Sequence, residues 1–330
     1  MSYSRENVMK AKELFALKRT DAEARAIERK RELAEKFPEI GLIDGELALT
    51  GEKIFSAIRE GRDGIEERIA ALREENMSLR HRRSLLLLAH GYPADYSDLK
   101  YDCSLCADTG YVGIKMCSCM RRSLIEAGMA SSGLSTLLHT QSFENFSTDY
   151  YRDDPEKYSR MCGNYQKARK FAEEFSLEDG EKKTRSMLFM GGTGLGKTHL
   201  STAIARVLIG RGFDVYYNSA VGMISDFEHR RFGTGLVQNE GDDTSRYTEC
   251  DLLILDDLGT EMINQFTVSC LYHVINTRLN MGKPTLINTN LPFAELRKLY
   301  GDRIASRLMG EYTVLSFCGT DVRKQKLMNQ

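Results

Sequence analysis

The octapeptide GGTGLGKT, from Gly191 to Thr198, has the residue types and the spacing of a loop that binds phosphate. It satisfies the pattern G-x-x-x-x-G-K-[ST], in which glycines let backbone N–H groups wrap a phosphate. An apolar, strand-like run precedes it and a helix-like run follows, so the positive end of a helix dipole faces the anion. Lys197 is predicted to reach the β- and γ-phosphates, and Thr198 to offer its hydroxyl to Mg²⁺. The predicted binding residues are Gly191, Gly192, Thr193, Gly194, Leu195, Gly196, Lys197 and Thr198.

Two acids follow a run of four apolar residues about sixty residues after this loop. The run Leu252 to Leu255 is typical of a buried strand, and Asp256 and Asp257 come directly after it. Asp256 is predicted to hold Mg²⁺, directly or through water, and Asp257 to orient or activate the attacking water. Glu261, a few residues later, is the alternative acid.

Three polar positions near the end of the chain are further candidates. Asn290 follows a strand-like run, and an amide there can bond both the γ-phosphate and the lytic water; a turn before Pro292 is the alternative. Arg303 and Arg307 are four residues apart and share one face of a helix. The alternative is that this face is only solvated and ion-paired. Arg323 follows the strand-like run YTVLSFC and is expected at an exposed tip.

Four of the eight cysteines form two close pairs, Cys103-x-x-Cys106 and Cys117-x-Cys119, separated by ten residues with turn-forming glycines. Two such pairs can converge as a cage of four thiolates, which fills the coordination shell of a structural Zn²⁺. A closed shell favours a metal that folds the segment. A redox dithiol or free thiols are the alternative. The remaining cysteines are predicted to be core residues: Cys162, Cys250, Cys270 and Cys318.

The first 92 residues contain long charged stretches with Leu, Ile and Ala at helical spacing, broken near residues 38–45 and 61–64. In the third stretch, residues at alternating steps of four and three form a seam: Ile65, Ile69, Leu72, Asn76, Leu79, Arg83 and Leu86. Asn76 is polar at a position where an amide can fix register or partner number. The seam fits either a coiled coil between chains or a helical hairpin within one chain. Leu85 to Leu88 are apolar all round the helix, so we expect them to be covered.

From Ser186 onward, short apolar runs alternate with helical patterns. The strand candidates are SMLFM, FDVYYN, DLLILD and TLINTN. This alternation predicts an α/β fold with a parallel sheet between helices and the phosphate loop at its carboxyl edge. We divide the chain into a helical region (1–92), a zinc module (93–124), a linker with the start of the ATPase domain (125–185) and the ATPase core (186–330).

Composition sets limits on these predictions. The chain has 330 residues, with 46 Lys and Arg against 47 Asp and Glu, so a net charge of −1 gives no global attraction to nucleic acid. No run approaches the roughly 18 apolar residues of a membrane helix, and the start lacks the hydrophobic region of a signal peptide. A cytoplasmic protein is predicted.

Taken in order, GGTGLGKT, LLILDDLG, TLINTN, GDRIASRL and GTDVRK resemble the AAA+ core of the DnaC and DnaI type of bacterial helicase loader, and of the related IstB type of transposition ATPase, over about residues 143–328. The resemblance implies ATP hydrolysis, with Asn290 as sensor 1 and Arg323 as sensor 2. It implies that Arg307 is the arginine finger that completes a neighbour's site, with Arg303 as the alternative. Asp-Asp stands here where AAA+ proteins often have Asp-Glu.

The resemblance also implies partners. These are the replicative DNA helicase, bound through the N-terminal region, single-stranded DNA, and other copies of the chain in an ATP-dependent assembly. In the segment Ser219 to Glu249, basic and aromatic residues are candidates for DNA contact: Phe227, Arg230, Arg231 and Phe232. A solvated face is the alternative there. An IstB-type transposition helper, a small-molecule kinase and a non-catalytic zinc-bearing adaptor are the competing functions.

Overall fold

The computed structural model describes residues 3–59, 64–177, 185–232 and 244–328. The chain forms two compact units, one of residues 12–120 and the other of residues 1–11 and 121–330. We call the first the helical unit and the second, after the activity that the sequence predicts, the ATPase unit. Within the described ranges, no helix combines the length and the apolar character that crossing a membrane requires.

The helical unit consists of helices and a small hairpin that follows them. The helices are α1 (Arg5–Lys36, which starts in the ATPase unit), α2 (Pro38–Ala48), α3 (Thr50–Arg59) and α4 (Ile65–Ala89). The hairpin has strands β1 (Tyr111–Val112) and β2 (Lys115–Met116), which pair antiparallel. α2 begins with Pro38, whose missing N–H costs nothing at the first turn of a helix.

The seam of α4 packs against helices of the same chain. α4 contacts α2 and α3, and every seam residue is buried or half-buried. Asn76 donates through Nδ2 to Thr50 Oγ1 at 2.7 Å, and Arg83 pairs with Asp44 at 2.6 Å. The seam is therefore buried by helices of its own chain, which is the helical-hairpin alternative.

The end of α4 is covered only in part. Leu87 is fully buried beside Leu33 and Ile40, but Leu85 and Leu88 are 54% and 58% exposed. The expectation that all four leucines are covered is therefore wrong for these two. The reason is that the neighbouring helices reach only one side of this helix end.

The ATPase unit is built on one parallel sheet of five strands. These are β3 (Ser186–Met190), β4 (Val215–Ser219), β5 (Leu252–Leu258), β6 (Thr285–Thr289) and β7 (Tyr312–Ser316), in the spatial order β4-β5-β6-β3-β7. Its helices are α5 (Ser118–Ser131, which starts in the helical unit), α6 (Ser135–Thr140), α7 (Pro155–Glu174), α8 (Lys197–Gly210), α9 (Ala220–Phe232), α10 (Arg246–Glu249), α11 (Gln265–Asn280), α12 (Phe293–Glu311) and α13 (Val322–Met328), with a 3₁₀ turn at Asp149–Tyr151.

Side chains of the sheet alternate between two cores. Phe189 and Ile254 belong to one, and Leu188 and Leu253 to the other. Because successive side chains of a strand point to opposite faces, helices cover both sides of the sheet. The predicted α/β fold, with a parallel sheet between helices and the glycine-rich loop at its carboxyl edge, is confirmed.

The segment 125–185 is expected as a linker and the start of the ATPase domain, and its described residues 125–177 pack into the core of this sheet. Leu138, Met161 and Phe175 are buried in the same cluster as Leu200 of α8. The Asp154 side chain caps α7 by accepting from the N–H groups of the helix's first turn. These contacts bring the aromatic string QSFENFSTDYY beside the phosphate loop.

The segment that we considered for DNA contact lies partly outside the described residues, which exclude 233–243 and the side chain of Phe232. Its other candidates have partners within the protein. Phe227 packs on Tyr247 with ring centroids 5.7 Å apart, and Arg230 donates to Thr244. Arg231 lies over the ring of Phe266 at 5.3 Å. DNA contact at this segment stays a prediction.

Candidate nucleotide and metal sites

A cavity of about 670 Å³ opens at the carboxyl edge of the parallel sheet. The phosphate loop after β3 lines it from Thr193 to Thr198. The cavity is also lined by four of the other predicted residues: Asp256, Asp257, Asn290 and Arg323. The sheet thus brings together side chains that are up to 130 residues apart in sequence, counted from Thr193 to Arg323.

The loop depends on glycine where its backbone is left-handed and crowded. Gly196 has φ +85°, and a Cβ there would lie 2.7 Å from the ring of Phe146. Gly191 has φ +148°, and a Cβ there would overlap the carbonyl oxygen of Phe317. L-residues rarely adopt such angles, and neither position has room for a side chain. α8 begins directly after Gly196, which aims its first N–H groups at the cavity.

Lys197 is buried, and its ammonium group is held at the loop. Nζ donates to the carbonyl oxygens of Gly191 and Gly192 and to Asn290 Oδ1, each at 2.7 Å. Burial lowers the pKa of Lys197, while the carboxylates of Asp257 and Asp256 act in the opposite direction. The predicted sensor amide and the predicted phosphate-binding lysine are therefore direct neighbours.

Asp256 is buried and accepts four hydrogen bonds. Its Oδ2 accepts from Thr198 Oγ1 at 3.0 Å and from the Tyr217 hydroxyl at 2.7 Å. Its Oδ1 accepts from Asn288 Nδ2 at 2.9 Å and from the backbone N–H of Asp257 at 3.0 Å. A hydroxyl and a carboxylate in contact at the mouth of a phosphate loop fit Mg²⁺, which prefers oxygen ligands.

Asp257 projects from the sheet because the strand is irregular at this point. The pairing of β5 with β6 shifts register between Leu255 and Leu258, and Asp257 has φ +52°. A bulge of this kind re-aims a side chain, and left-handed backbone at a non-glycine residue is concentrated at functional sites. Desolvation and the nearby Asp256 raise the pKa of Asp257, against the effect of Lys197 and Arg323.

Glu261, the alternative acid, is occupied elsewhere. It is 8% exposed, accepts from the backbone N–H of Gly259 at 2.9 Å, and accepts from the Tyr300 hydroxyl. It does not line the cavity. Its contacts make it a buried acceptor that fixes the loop after β5, so the geometry favours Asp257 as the acid.

Arg323 reaches the cavity because α13 rests on the phosphate loop. The N–H of Val322 donates to the carbonyl oxygen of Gly194 at 3.0 Å. Asp321 lies against Gly194 and accepts from the backbone N–H of Arg323 at 2.9 Å. The exposed guanidinium of Arg323 therefore extends from a helix whose start is fixed to the loop.

Arg303 and Arg307 lie on α12 and do not line the cavity of their own chain. Arg303 is exposed. Arg307 is half-buried, donates to Asn276 and Tyr272 of α11, and lies over the Tyr272 ring at 4.8 Å. Neither arginine is therefore placed to contact a nucleotide bound in this cavity.

One wall of the cavity went unrecognised in the sequence. Aromatic and polar side chains before the phosphate loop, and some after it, complete the lining: Leu137, Gln141, Asn145, Phe146, Ser147, Tyr150, Tyr151, His199, Tyr217, Thr260, Val322 and Lys326. The Phe146 ring stacks on Tyr151 and Tyr165, and the Tyr151 hydroxyl donates to the Leu195 carbonyl at 2.9 Å. The aromatic part of this wall suits a nucleotide base. The aromatic string was the signal that could have revealed it.

The four predicted zinc ligands converge within the helical unit. The Sγ atoms of Cys103, Cys106, Cys117 and Cys119 all lie within 4.8 Å of one another. Cys103 and Cys117 are separated by 3.8 Å, and Cys106 and Cys119 by 3.4 Å. Four sulfurs around Zn²⁺ at about 2.3 Å are about 3.8 Å apart, so this cluster could hold a metal.

Two features shape the cysteine cluster. The buried carboxylate of Asp108, which we had not singled out, accepts from the N–H groups of Asp102 and Cys103 at 2.8 and 2.9 Å. The N–H of Cys117 donates to the Gly110 carbonyl at 2.9 Å and ties the second pair to the first turn. A hydrogen bond from the Cys119 backbone lowers the pKa of the Cys117 thiol to about 7, whereas burial and the neighbouring thiols raise the pKa of the Cys119 thiol.

The remaining cysteines lie outside this cluster. Cys250 and Cys270 are buried as predicted, whereas Cys162 and Cys318 are only half-buried. All four are free thiols.

Known proteins resemble the ATPase unit most clearly. The profile of a family described as IstB-like ATP binding protein matches residues 163–328, which is half of the chain. The replicative helicase loader DnaC of Escherichia coli strain K12 is 30% identical over 179 residues, or 54% of this chain and 66% of that protein. The chain thus covers just under two thirds of the length of that relative.

Two further similarities cover about the same share of the chain. The replicative helicase loader DnaC of Buchnera aphidicola subsp. Schizaphis graminum (strain Sg) is 25% identical over 190 residues, or 57% of this chain and 72% of that protein. A crystal structure of the DnaC helicase loader aligns with a TM-score of 0.42 and 24% identity, over 53% of this chain and 98% of that one.

Proposed function

The chain belongs to the IstB-like ATP binding protein family, and from this premise we propose that it is an AAA+ ATPase that loads a replicative DNA helicase onto single-stranded DNA. One observation carries the ATPase part of the proposal. A single cavity gathers a phosphate loop, two acids at the end of a strand, a strand-tip amide and an arginine. We place the protein in the cytoplasm, where replicative helicases act.

Each side chain of the cavity has a role in this proposal. Lys197 leaves the loop carbonyls to pair with the β- and γ-phosphates, while Thr198 and Asp256 hold the Mg²⁺ that accompanies the nucleotide. Asp257 orients the attacking water, and Asn290 contacts the γ-phosphate from the neighbouring strand tip. Arg323 contributes positive charge from α13. In this structure, Asn290 accepts a hydrogen bond from Lys197. Binding of ATP would break this bond, so Asn290 would respond to the presence of the γ-phosphate.

The unexpected wall beside the loop completes the ATP site. We assign the base to the aromatic surface of Phe146 and Tyr150, beside Val322 and Lys326 of α13, which line the same cavity. Lys326 lies over the Tyr150 ring at 5.6 Å, so α13 and the base wall are already joined. Nucleotide binding would thereby fix α13, and with it Arg323.

We assign Arg307 to the nucleotide of an adjacent copy, with Arg303 as the alternative. Both stand away from the cavity of their own chain, which suits action between copies. A planar, permanently charged guanidinium matches the charge that develops on a transferring phosphoryl group. ATP binding would then favour assembly of several copies, and hydrolysis would release them.

The partner assignment is supported by the relatives, which are named replicative helicase loaders. We assign helicase binding to the helical unit, because it is a separate compact unit with exposed apolar residues: Leu14, Leu17, Leu42, Leu49, Phe55 and Ile58. The ATPase unit would contact single-stranded DNA.

An IstB-type helper that regulates a transposase is the second candidate, since the matching family is described as IstB-like. The loader is favoured because the curated relatives are named helicase loaders, and the match to the IstB-like family leaves the four-cysteine cluster unaccounted for. Capture of partners by the full-length chain in the presence of ATP separates the two. Recovery of the replicative helicase supports the loader, and recovery of a transposase without the helicase supports the helper.

We further propose that the cysteine cluster holds one structural Zn²⁺ per chain. The protein purified without chelator is expected to contain about one equivalent of zinc, and Cys103→Ser/Cys117→Ser less than a tenth of that, because two ligands leave a site that needs four. Elemental analysis measures both. The ATPase unit has its own core, so ATP affinity in the double variant should stay within about twofold of the parent.

The matched control is Cys162→Ser/Cys318→Ser, which removes two half-buried thiols outside the cluster and should keep the zinc. Less than half an equivalent in the parent, or a full equivalent in Cys103→Ser/Cys117→Ser, would rule out the assignment.

A further inference from the structure

Arg307 is held in place by two side chains of the preceding helix. Its Nε and Nη2 donate to Asn276 Oδ1 at 3.1 and 2.9 Å. Nη2 also donates to the Tyr272 hydroxyl at 3.0 Å, and the guanidinium centre lies 4.8 Å from the centroid of the Tyr272 ring. Asn276 and Tyr272 are one turn apart on α11, so a single helix face forms both contacts.

The donor count of Arg307 leaves one N–H group available. A guanidinium has five N–H groups, and the contacts with Asn276 and Tyr272 use three of them. Nη1 gives one more to the carbonyl oxygen of Arg303 at 3.2 Å. Within the part of the chain that the structure describes, the second N–H of Nη1 has no acceptor. The side chain is therefore fixed along one edge and open along the other.

Every partner that Arg307 has among the described residues is neutral. An amide, a phenol, a backbone carbonyl and a ring face hold it, and among the described residues no carboxylate forms an ion pair with it. Arg83, which is also withdrawn from solvent, pairs with the carboxylate of Asp44. Arg278 is held by uncharged acceptors as Arg307 is, but it is fully buried, whereas Arg307 is half-buried and keeps one N–H group open. The charge of Arg307 is oriented without being cancelled.

We propose that Tyr272 and Asn276 are positioning residues that hold Arg307 ready for the γ-phosphate of a neighbouring copy while leaving its charge intact. This inference rests on the proposed action of Arg307 between copies. A side chain that is already ordered loses little conformational freedom when the neighbour arrives. We call Tyr272 and Asn276 together the neutral clamp. Because both side chains are uncharged, they leave the full positive charge of Arg307 for the phosphoryl group, which a salt bridge would not.

The isosteric variant Asn276→Asp tests the neutral clamp. It keeps the shape and the accepting oxygen but adds a negative charge against Arg307. We expect ATP turnover to fall at least about tenfold, because a neutralised arginine stabilises the transition state poorly. ATP affinity should remain within about twofold of the parent, since α11 does not line the cavity. The melting temperature should be unchanged or higher, because a new ion pair forms.

Two other variants sharpen this test. Tyr272→Phe keeps the ring under the guanidinium and removes one acceptor, so a smaller loss of about three- to tenfold is expected. Asn280→Asp places the same charge one turn further along α11 on an exposed residue, and its turnover should match the parent. Parental turnover in Asn276→Asp would overturn the inference.

Mixing experiments separate this inference from the proposed function. Asn276→Asp has an intact ATP site and lacks only a competent arginine, so it should regain turnover when mixed with Lys197→Ala and stay inactive with Arg307→Ala. A merely structural role for Asn276 would not place it in the same complementation class as Arg307. If Asn276→Asp and Arg307→Ala restore each other, the clamp is wrong. If a mixture of Arg307→Ala and Lys197→Ala shows no regained turnover, the proposal that Arg307 acts between copies is wrong. The proposed role of the neutral clamp is then wrong as well.

Discussion

Lys197→Ala is expected to weaken ATP binding at least about 100-fold, or roughly 3 kcal/mol. Its ammonium is the cation at the centre of the phosphate loop, in reach of the loop carbonyls and of Asn290. When a triphosphate enters, this group is the one that pairs with the β- and γ-oxygens, and charge-assisted hydrogen bonds of this kind are the strongest that a side chain offers. Titration with a fluorescent ATP analogue measures the loss.

Lys298→Ala is the matched control, because it removes an exposed lysine from α12 outside the cavity. It should bind ATP like the parent. The melting temperature of Lys197→Ala without nucleotide should stay close to that of the parent, since the carbonyls that it leaves belong to the half-buried Gly191 and the exposed Gly192, where water can bond them. Parental affinity in a folded Lys197→Ala protein would contradict the assignment of this cavity to ATP.

Asp257→Asn is expected to keep ATP binding within about threefold and to lose at least about 100-fold in turnover. The register shift in β5 and the left-handed backbone aim this carboxyl into the cavity, beside Asn290 and Lys197. The amide keeps the shape of the side chain but no longer attracts the proton of the attacking water. Phosphate release under saturating ATP gives the turnover, and a binding titration gives the affinity.

Glu261→Gln is the comparison variant for this prediction. Its carboxylate bonds the Gly259 N–H and the Tyr300 hydroxyl, so we expect reduced stability and nearly parental turnover. The opposite pattern, with turnover kept in Asp257→Asn and lost in Glu261→Gln, would assign the catalytic role to Glu261.

The sequence alone was sufficient for the parts of the site that are local. A phosphate loop is a contiguous pattern, and its neighbouring strand and helix are visible as apolar periodicity around Gly191 to Thr198. The acids at Asp256 and Asp257 and the amide at Asn290 each follow an apolar run, so a parallel sheet had to bring them to one edge. The cysteine pairs were recognisable for the same reason, as two short patterns with metal-ligand spacing.

Other features depend on contacts between distant parts of the chain, which no local pattern reveals. Tyr217 and Asn288 hold Asp256 from two other strands, and nothing in their own neighbourhood marks them. The bulge at Asp257 arises from the register with β6. The aromatic wall was visible as a string of residues, but its place beside the loop depends on how α6 and α7 pack against α8.

The seam of α4 shows a related limit. Steps of three and four describe a helix with one buried face, whichever helix covers that face. Its partner turned out to be in the same chain, where Asn76 meets Thr50. Arg307 is similar, since its spacing from Arg303 predicts a shared helix face but says nothing of Tyr272 and Asn276 on another helix.

The measurement that tests the proposed function most directly is retention of the host's replicative helicase on closed circular single-stranded DNA. A circle has no end to thread, so a closed helicase ring needs help to encircle it. With ATP and the parent chain, we expect the helicase to remain bound to the circle through gel filtration. With Lys197→Ala, retention should fall to the level of helicase alone. Equal retention with and without the parent chain would contradict the assignment as a helicase loader.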